Sequence, residues 1–298
     1  MIGAVDIGGT KIAVGMLDHD GQILARGEFP SSPGLGLQEG LAQIHSLLEA
    51  TARQAGGKLE GIGVGCTGPV DPLTGCLGAI EFLPSWEGAP LVSGLGQAFG
   101  VPVFLENDAD AAALGEVAWG AGRGARRFIY VTISTGIGAG IVLDGRLYRG
   151  AGGAHPEIGH AVIDPAGPPC FCGAHGCWES LASGPALAAR GGRESALAVC
   201  QAAEAGEAAA LQAVEQEARY LGLGIANLVT LFVPDCIALG GGVMRSRHLF
   251  WDKIVRTIRE NCGLVPFEKT RLSPAQLGAE VGLAGAAQVY LQGSQDHD

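Results

Sequence analysis

A cysteine-rich loop carries the most specific chemical pattern in the chain. Cys170, Cys172 and Cys177 fall within eight residues, and His160 lies ten residues before the first of them. A Cys₃His set matches the tetrahedral ligands of Zn²⁺, and because it leaves no obvious open position, the pattern predicts a structural ion. His175 is an alternative fourth ligand, and three reduced cysteines without metal are the alternative to the whole site.

A glycine turn follows the first predicted strand, in the sequence DIGGTK. Its chemical groups come from Asp6, Gly8, Gly9, Thr10 and Lys11. Consecutive glycines let backbone N–H groups approach an anion closely, and the hydroxyl and ammonium groups that follow add further donors. The carboxylate at the strand's end could hold Mg²⁺ through water, because hard cations prefer oxygen ligands. The turn is not a Walker loop, and such a turn alone is more often a plain hairpin.

A second turn of this kind occurs in STGIG, where Thr135 and Gly136 stand between two predicted strands. Both places share one plan: a strand, a polar glycine turn, a second strand and an Asp-Gly turn. The repetition predicts two related α/β halves, with two unrelated hairpins as the alternative. Two such turns that face each other would clamp a polyphosphate, so the pair indicates phosphate binding.

A third glycine pattern, G-x-G-x-x-G at residues 63–68, has a different meaning. The dinucleotide-binding fingerprint requires a helix to begin there. Pro69 and Pro72 follow instead, and two prolines with a turn do not open that helix. The sequence therefore excludes a Rossmann-type site at this position.

Acid/base chemistry is indicated at Glu106-Asn107-Asp108, where a predicted strand ends and an alanine-rich helix begins. Ligands of α/β proteins lie at the carboxyl ends of strands, and a carboxylate there can accept a proton from a substrate hydroxyl during phosphoryl transfer. The alternative is that Asn107 or Asp108 is only a helix N-cap, a position that both residue types favour.

Two further groups of residues could contact ligands. Glu157 and Glu179 flank the cysteine-rich loop, where carboxylates could hydrogen-bond sugar hydroxyls, although isolated glutamates usually lie on the solvated surface. In the run LGGGV, Gly241 and Gly242 follow an apolar strand. Glycine permits the close approach of a flat ligand such as adenine, and an ordinary strand-to-helix turn is the alternative.

These residues are positioned by an alternation of apolar β-branched runs and Ala/Leu/Glu-rich stretches, which is typical of an α/β protein. Strands are predicted at 2–6, 12–17, 22–28, 61–65, 101–106, 128–134 and 138–143. Helices are predicted at 37–54 and 108–119, in a long region from about 180 to 233, and at 278–291.

The amino-acid composition and charge exclude several classes of protein. The 298 residues include 50 glycines without a Gly-X-Y period and are 47% apolar, which excludes collagen and disorder. A formal net charge of −11 and no Lys/Arg run argue against nucleic-acid binding. We find no apolar stretch long enough for a membrane span, and Asp6 interrupts the N-terminal apolar segment. We therefore expect that the chain has no signal peptide, that its cysteines are reduced and that the protein is cytoplasmic.

Five segments of this chain together characterise one known family. They are DIGGTK at 6–11, ENDADAAALGE at 106–116, STGIGAGIVLDGRLYRGAGGAHPEIGH at 134–160, CFCGAHGCWE at 170–179 and LGGGV at 239–243. With them the chain resembles the ROK family of bacterial sugar kinases and repressors, within the actin/hexokinase-type ATPase superfamily, over essentially its whole length. The resemblance implies two ribonuclease-H-like α/β domains with an active-site cleft between them. The implied bounds are 1–115 plus 278–298 for a small domain with a returning C-terminal helix, and 116–277 for a large domain with the zinc loop.

The resemblance also implies an ATP-dependent hexose 6-phosphotransferase, most simply a glucokinase, with Mg²⁺ on the phosphates and a structural Zn²⁺. Asp108 matches the family's catalytic base. The residues that match sugar contacts are Gly68, Asn107, Asp108, Glu157, His160 and Glu179. The residues that match the nucleotide-binding loops are Asp6, Gly8, Gly9, Thr10, Lys11, Thr135, Gly136, Gly241 and Gly242. The matching zinc ligands are His160, Cys170, Cys172 and Cys177.

Departures from the family pattern concern the choice of sugar. Thr67-Gly68 stands where the family often has Pro-Gly, and Phe82 stands where it often has asparagine. His155-Pro156 is similar to fructokinase members, whereas the cysteine-rich loop is more similar to glucokinase and N-acylhexosamine kinase members. Glucose is therefore the first expectation, with fructose and N-acylhexosamines as alternatives and polyphosphate as an alternative donor.

The family's repressors are the alternative from another functional class. They carry a helix-turn-helix domain before the DIGGTK segment, and the first predicted strand here begins at Ile2. We expect a sugar and ATP as partners, no nucleic acid or membrane, and a homodimer or homotetramer as in other family members.

Overall fold

The computed structural model describes residues 1–296, which fall into two compact units. Unit 1 contains Met1–Gly124, Arg146–His155 and the C-terminal residues from Gln276, and unit 2 contains Ala125–Gly145 and Pro156–Ala275. The sequence-based domain bounds stay a prediction. Residues 297 and 298, the end of the predicted segment 278–298, lie outside the described residues.

The elements are given in chain order. The strands are β1 (Ile2–Ile7), β2 (Lys11–Leu17), β3 (Ile23–Pro30), β4 (Gly61–Cys66), β5 (Val70–Asp71), β6 (Cys76–Leu77), β7 (Val103–Asn107), β8 (Arg127–Ile133), β9 (Ile137–Leu143), β10 (Arg146–Leu147), β11 (Cys236–Gly240) and β12 (Arg271–Pro274). The helices are α1 (Leu37–Ala55), α2 (Leu91–Phe99), α3 (Asp108–Trp119), α4 (Trp178–Ala182), α5 (Gly184–Arg190), α6 (Ala196–Glu204), α7 (Ala208–Phe232), α8 (Trp251–Asn261) and α9 (Val281–Asp296).

The sheet of unit 1 has the strand order β3-β2-β1-β4-β7. β1, β2 and β3 form an antiparallel meander, whereas β1, β4 and β7 run parallel to one another. β4 is buried along its whole length and β1 almost so, as their nearly continuous apolar sequences predict for strands covered on both faces. The carboxyl ends of β1, β4 and β7 therefore share one edge of the sheet.

Close packing accounts for part of the glycine excess in unit 1. α9 packs against β1, β4 and α3. A Cβ at Gly63 of β4 would overlap the carbonyl oxygen of Ala286, so only glycine allows α9 this close to the sheet. The carboxylate of Glu116 on α3 accepts the backbone N–H groups of Gln276 and Leu277, both at 2.9 Å, and so ties the C-terminal segment to α3.

The main strands of unit 2 lie in the order β9-β8-β11-β12. β8 and β9 form an antiparallel hairpin, and β8, β11 and β12 are parallel. Aliphatic side chains of β8, β9 and β11 form the core with the inner faces of α7 and α8 and with Trp178. Within residues 1–296, no helix is both long and apolar enough to cross a bilayer.

The long helical region predicted from about 180 to 233 consists of the four helices α4 to α7. Gly192 and Gly206 interrupt the region with φ values of +61° and +85°, which lie outside helical space. The chain begins α5 anew at Ser183, whose hydroxyl accepts the N–H of Ala186. The sequence pattern predicts no ranges for β5, β6, β10, α2, α8 or β12.

Candidate functional site

Three polar side chains of unit 1 meet at the carboxyl edge of its sheet. Asp6 is the penultimate residue of β1, Thr67 directly follows β4, and Asp108 directly follows β7. β4 lies between β1 and β7, with Asp6 opposite Gly65 in the register. Parallel strands end together, so residues about 100 positions apart in the chain become neighbours.

Asp108 is held at both oxygens of its carboxylate. The hydroxyl of Thr67 donates to Oδ2 at 2.5 Å, and the backbone N–H of Ala109 lies 2.9 Å from Oδ1. The same N–H donates to Oδ1 of Asn107 at 2.8 Å, so Asn107 is the N-cap of α3. Asp108 itself lies in the first turn of α3, where the helix dipole favours a carboxylate.

Burial shifts the ionisation of both carboxylates at this edge. Burial raises the pKa of Asp6 to about 7, the negative charge of Asp108 adds to this rise, and Lys11 opposes it. Burial also raises the pKa of Asp108, against the hydrogen bonds from Thr67 and Ala109 and the charge of His155. Because two negative charges in a buried space are unfavourable, the site favours the arrival of a proton or a cation.

Two buried acids flank Asn107 and Asp108, and each pairs with a base from segment 146–155. Glu106 pairs with Arg149, and Asp110 lies 2.7 Å from Nδ1 of His155. These pairs hold the segment against β7 and α3. In the sequence, His155 is distinctive only through its similarity to fructokinase members, and no pattern points to Arg149. The one available signal was the regular spacing of acids around Asp108.

The first glycine turn joins β1 to β2. The N–H of Gly8 donates to the carbonyl of Lys11 at 3.0 Å, and Gly9 and Thr10 are exposed at the tip. The ammonium group of Lys11 lies 2.7 Å from the carboxylate of Glu28, so an anion would compete with that carboxylate for it. The turn is open to solvent, as an anion-binding loop must be.

The segment after β4 forms a loop and not a helix, which confirms that G-x-G-x-x-G at 63–68 is no Rossmann fingerprint. Gly68 has a φ of +99°, a conformation that favours glycine. Its carbonyl accepts a hydrogen bond from the side-chain amide of Asn107 at 3.4 Å. Gly68, Asn107 and Asp108 therefore lie together in unit 1.

The second glycine turn lies in unit 2 between β8 and β9, with Thr135 exposed. The N–H of Ser134 donates to the carbonyl of Gly136 at 2.9 Å. Oε2 of Glu179 accepts the N–H of Ile137 at 2.8 Å, and a Cβ at Gly136 would overlap the same oxygen. The structure thus joins Glu179, a predicted sugar contact, to the predicted phosphate turn.

Glu157 and His160 belong to a single 3₁₀ turn of unit 2. The N–H of His160 donates to the carbonyl of Glu157 at 3.0 Å, and the Glu157 side chain is exposed. The turn packs against β9 and α4. Gly159 permits this packing, because a Cβ there would overlap the carbonyl oxygen of Ile137. The turn that contains Glu157 and His160 therefore lies, like Glu179, beside the start of β9.

The cysteine-rich loop folds into a compact cluster of possible metal ligands. One ligand atom from each of His160, Cys170, Cys172 and Cys177 lies within 4.8 Å of all the others. Nδ1 of His160 is 3.4 Å from Sγ of Cys170, and the sulfur atoms of Cys172 and Cys177 are 3.6 Å apart. Over the described residues 1–296, His160 and not His175 belongs to this cluster.

The triple-glycine turn follows β11. Gly241 has a φ of +89°, and a Cβ there would overlap the backbone at Ile133, whereas Gly242 is exposed. A cavity of about 630 Å³ lies in the same unit. It is lined by Arg245, Arg247, His248, Trp251, Leu272 and Pro274. The turn and the first cavity residue are only three positions apart in the chain.

Comparison with protein families and curated sequences gives consistent matches. The model of the ROK family matches residues 2–292. The glucokinase of Streptomyces coelicolor is 34% identical, over 95% of this chain and 95% of that protein. An N-acetylmannosamine kinase of Escherichia fergusonii is 36% identical, over 80% and 82%, respectively. A xylose repressor of Bacillus spizizenii is 30% identical, over 97% of this chain and 76% of the repressor.

Solved structures match over nearly the whole chain. The ROK hexokinase from Thermus thermophilus superposes with a TM-score of 0.88 at 38% identity and covers 99% of both chains. A ROK family glucokinase from Streptomyces griseus, in complex with glucose and AMPPNP, has a TM-score of 0.78 at 34% identity and covers 97% of this chain and 98% of its own.

Proposed function

The chain belongs to the ROK family and is a hexose kinase of that family, and from this premise we propose that it is a glucokinase. It would transfer the γ-phosphoryl group of ATP to the 6-hydroxyl of glucose. The predicted α/β fold of the actin/hexokinase type is confirmed by its structural relatives.

The observation that carries the proposal is the environment of Asp108. Its carboxylate lies at the carboxyl edge of the sheet and accepts hydrogen bonds from Thr67 and Ala109. Burial raises its pKa and so increases its affinity for a proton, as a general base requires. Asp108 would accept the proton of the sugar hydroxyl while that oxygen bonds to the γ-phosphorus and the bond to the leaving ADP oxygen breaks.

Three glycine turns would hold the nucleotide. Gly8, Gly9, Thr10 and Lys11 in one turn, and Thr135 and Gly136 in the other, would contact phosphates, because exposed glycine turns let backbone N–H groups approach an anion. Gly241 and Gly242 would border the adenosine. Mg²⁺ would neutralise phosphate charge. Burial raises the pKa of Asp6 to about 7, so a nearby cation would stabilise the charged form of this carboxylate.

Glucose is proposed because named glucokinases are among the relatives and one of them is described in complex with glucose. Gly68, Asn107, Glu157, His160 and Glu179 would contact the sugar. A fructokinase or an N-acylhexosamine kinase is the alternative, and the relative that acts on N-acetylmannosamine supports the latter.

The Cys₃His cluster fits a structural zinc ion. Zn–S bonds of about 2.3 Å in a tetrahedron place two sulfur atoms about 3.8 Å apart. The Cys172–Cys177 distance of 3.6 Å is close to that value, and all four ligand atoms lie within 4.8 Å. We propose that these residues hold Zn²⁺, which would stiffen the loop that precedes Glu179.

The test is an assay of ADP release with glucose, fructose, mannose, N-acetylglucosamine and N-acetylmannosamine, compared by kcat/KM. Asp108→Asn should lower kcat by about 10²- to 10⁴-fold, because it removes the base. Sugar binding, measured as the rise in Tm with glucose, should remain. Asp20→Asn, at an exposed turn of the same unit, is the matched control. Near-normal turnover by Asp108→Asn would refute the assigned mechanism, and a higher kcat/KM on another hexose would refute glucose.

A further inference from the structure

Thr67 stands at a position that joins two strands of the unit 1 sheet. Its backbone N–H donates to the carbonyl of Ile7 at 2.9 Å. The residue is therefore hydrogen-bonded to the end of β1 and covalently continuous with β4. Gly68 follows with a φ of +99° and turns the chain away from the sheet. The main chain of Thr67 is therefore held firmly, and its side chain has a defined direction.

That direction brings its hydroxyl to Asp108. The distance from Oγ1 of Thr67 to Oδ2 of Asp108 is 2.5 Å, within the range of hydrogen bonds between a hydroxyl and a carboxylate. Oδ1 of Asp108 is fixed separately by the N–H of Ala109 at 2.9 Å. With one donor on each oxygen, the carboxylate cannot rotate about its terminal bond without breaking a hydrogen bond.

We propose that Thr67 is a positioning residue for the general base, because its hydroxyl fixes the orientation of the Asp108 carboxylate toward the substrate hydroxyl. The inference rests on the proposed role of Asp108. Thr67 forms and breaks no covalent bond: the proton passes from sugar to Asp108, and Thr67 only donates a hydrogen bond to that carboxylate.

The proposal gives a role to Thr67, which stands where the family often has proline. A proline at position 67 has no hydroxyl and no backbone N–H, so it could make neither the bond to Asp108 nor the bond to Ile7. In this chain both bonds are present, and the threonine therefore supplies a restraint on the base that a Pro-Gly loop lacks.

The test compares Thr67→Val, which keeps the shape and loses the hydroxyl, with Thr67→Ser, which keeps the hydroxyl. Because a misoriented base costs turnover but not affinity, Thr67→Val should lower kcat about 10- to 100-fold and leave the KM for glucose within about twofold. Thr67→Ser should restore most of kcat. Thr74→Val, at an exposed threonine of the same unit, is the matched control.

Other outcomes overturn the proposal in recognisable ways. A Thr67→Val enzyme with kcat within twofold of the parent would refute it, and so would equal losses in the valine and serine variants. A rise in KM at unchanged kcat would make Thr67 a sugar contact instead. If Thr67→Val lowers Tm strongly, the same comparison is made with Thr67→Ala, assayed at a temperature at which that variant is folded.

A second comparison separates this inference from the proposed function. In an Asp108→Asn background, Thr67→Val should cause little further loss of kcat, because the group that it orients is gone. Full activity of Asp108→Asn alone would refute the base assignment. An inactive Asp108→Asn with an undisturbed Thr67→Val would refute only the positioning role.

Discussion

Asp6 offers a test of the electrostatics of unit 1 that is independent of turnover. Its side chain lies at the end of β1 among buried groups, and burial together with the charge of Asp108 raises its pKa from 3.8 to about 7. An asparagine side chain in its place would have nearly the shape of the protonated acid and would carry no charge. We therefore expect Asp6→Asn to stabilise the ligand-free protein at alkaline pH, although the change removes a proposed nucleotide-site residue.

The sign and size follow from proton linkage. A carboxyl group with a raised pKa binds its proton more tightly in the folded state, so wild-type stability falls as pH rises from about 4 to about 7. A rise of about three pKa units at about 1.4 kcal/mol each is worth about 4 kcal/mol well above pH 7. Somewhat more than half of this loss of wild-type stability occurs between pH 5 and pH 8. The free energy of unfolding of the variant should therefore rise by roughly 2–3 kcal/mol relative to that of wild type over that interval.

Hydrogen exchange at the backbone amides of β1 is the assay, because it reports the opening of unit 1 without assuming that both units unfold together. Wild type, Asp6→Asn and Asp20→Asn are compared in EDTA at pH 5 and pH 8, after correction for intrinsic exchange rates. The free energy of opening of Asp6→Asn should rise relative to wild type between these pH values, and that of Asp20→Asn should not. Parallel pH profiles for Asp6→Asn and wild type would show that Asp6 ionises normally and would refute the argument.

Two further predictions concern unit 2. Purified protein should contain about one Zn²⁺ per chain, and either a chelator or Cys172→Ser should lower the Tm of the protein. Protein that contains no metal, or a Tm that the chelator does not change, would contradict the zinc assignment. Gly136→Ala should raise the KM for glucose about tenfold with a smaller effect on kcat, because the new Cβ displaces the Glu179 carboxylate. Gly263→Ala, where a Cβ meets no atom within 4 Å, is its control, and an unchanged KM would show that Glu179 does not need its present position.

Much of the site was accessible from the sequence because its residues are local in the chain. Strand-turn-strand patterns predicted β1, β2, β8 and β9, because alternation and Asp-Gly turns depend on neighbouring residues. The Cys₃His cluster was predicted for the same reason, since its four members span only residues 160–177. Short segments carry their own signal, and the boundaries of α3 agreed with the prediction of 108–119.

Contacts that depend on several strands were not accessible. Nothing in the spacing of Thr67 and Asp108, which are 41 residues apart, indicates that their side chains meet. The strand order β1-β4-β7 brings them together. The tie between Glu179 and the turn at Gly136 likewise arises from the packing of α4 near the start of β9.

The sequence by itself determined which chemical groups this hexose kinase possesses and which turns present them, because residue type and local spacing decide turns, caps and metal-ligand sets. Only the tertiary structure decided how the groups are oriented and how readily they ionise. A carboxylate becomes a held and perturbed base through partners from other strands and through loss of water, and both are consequences of packing. Asp108 was recognisable from the sequence, and its two fixed oxygens and raised pKa were not.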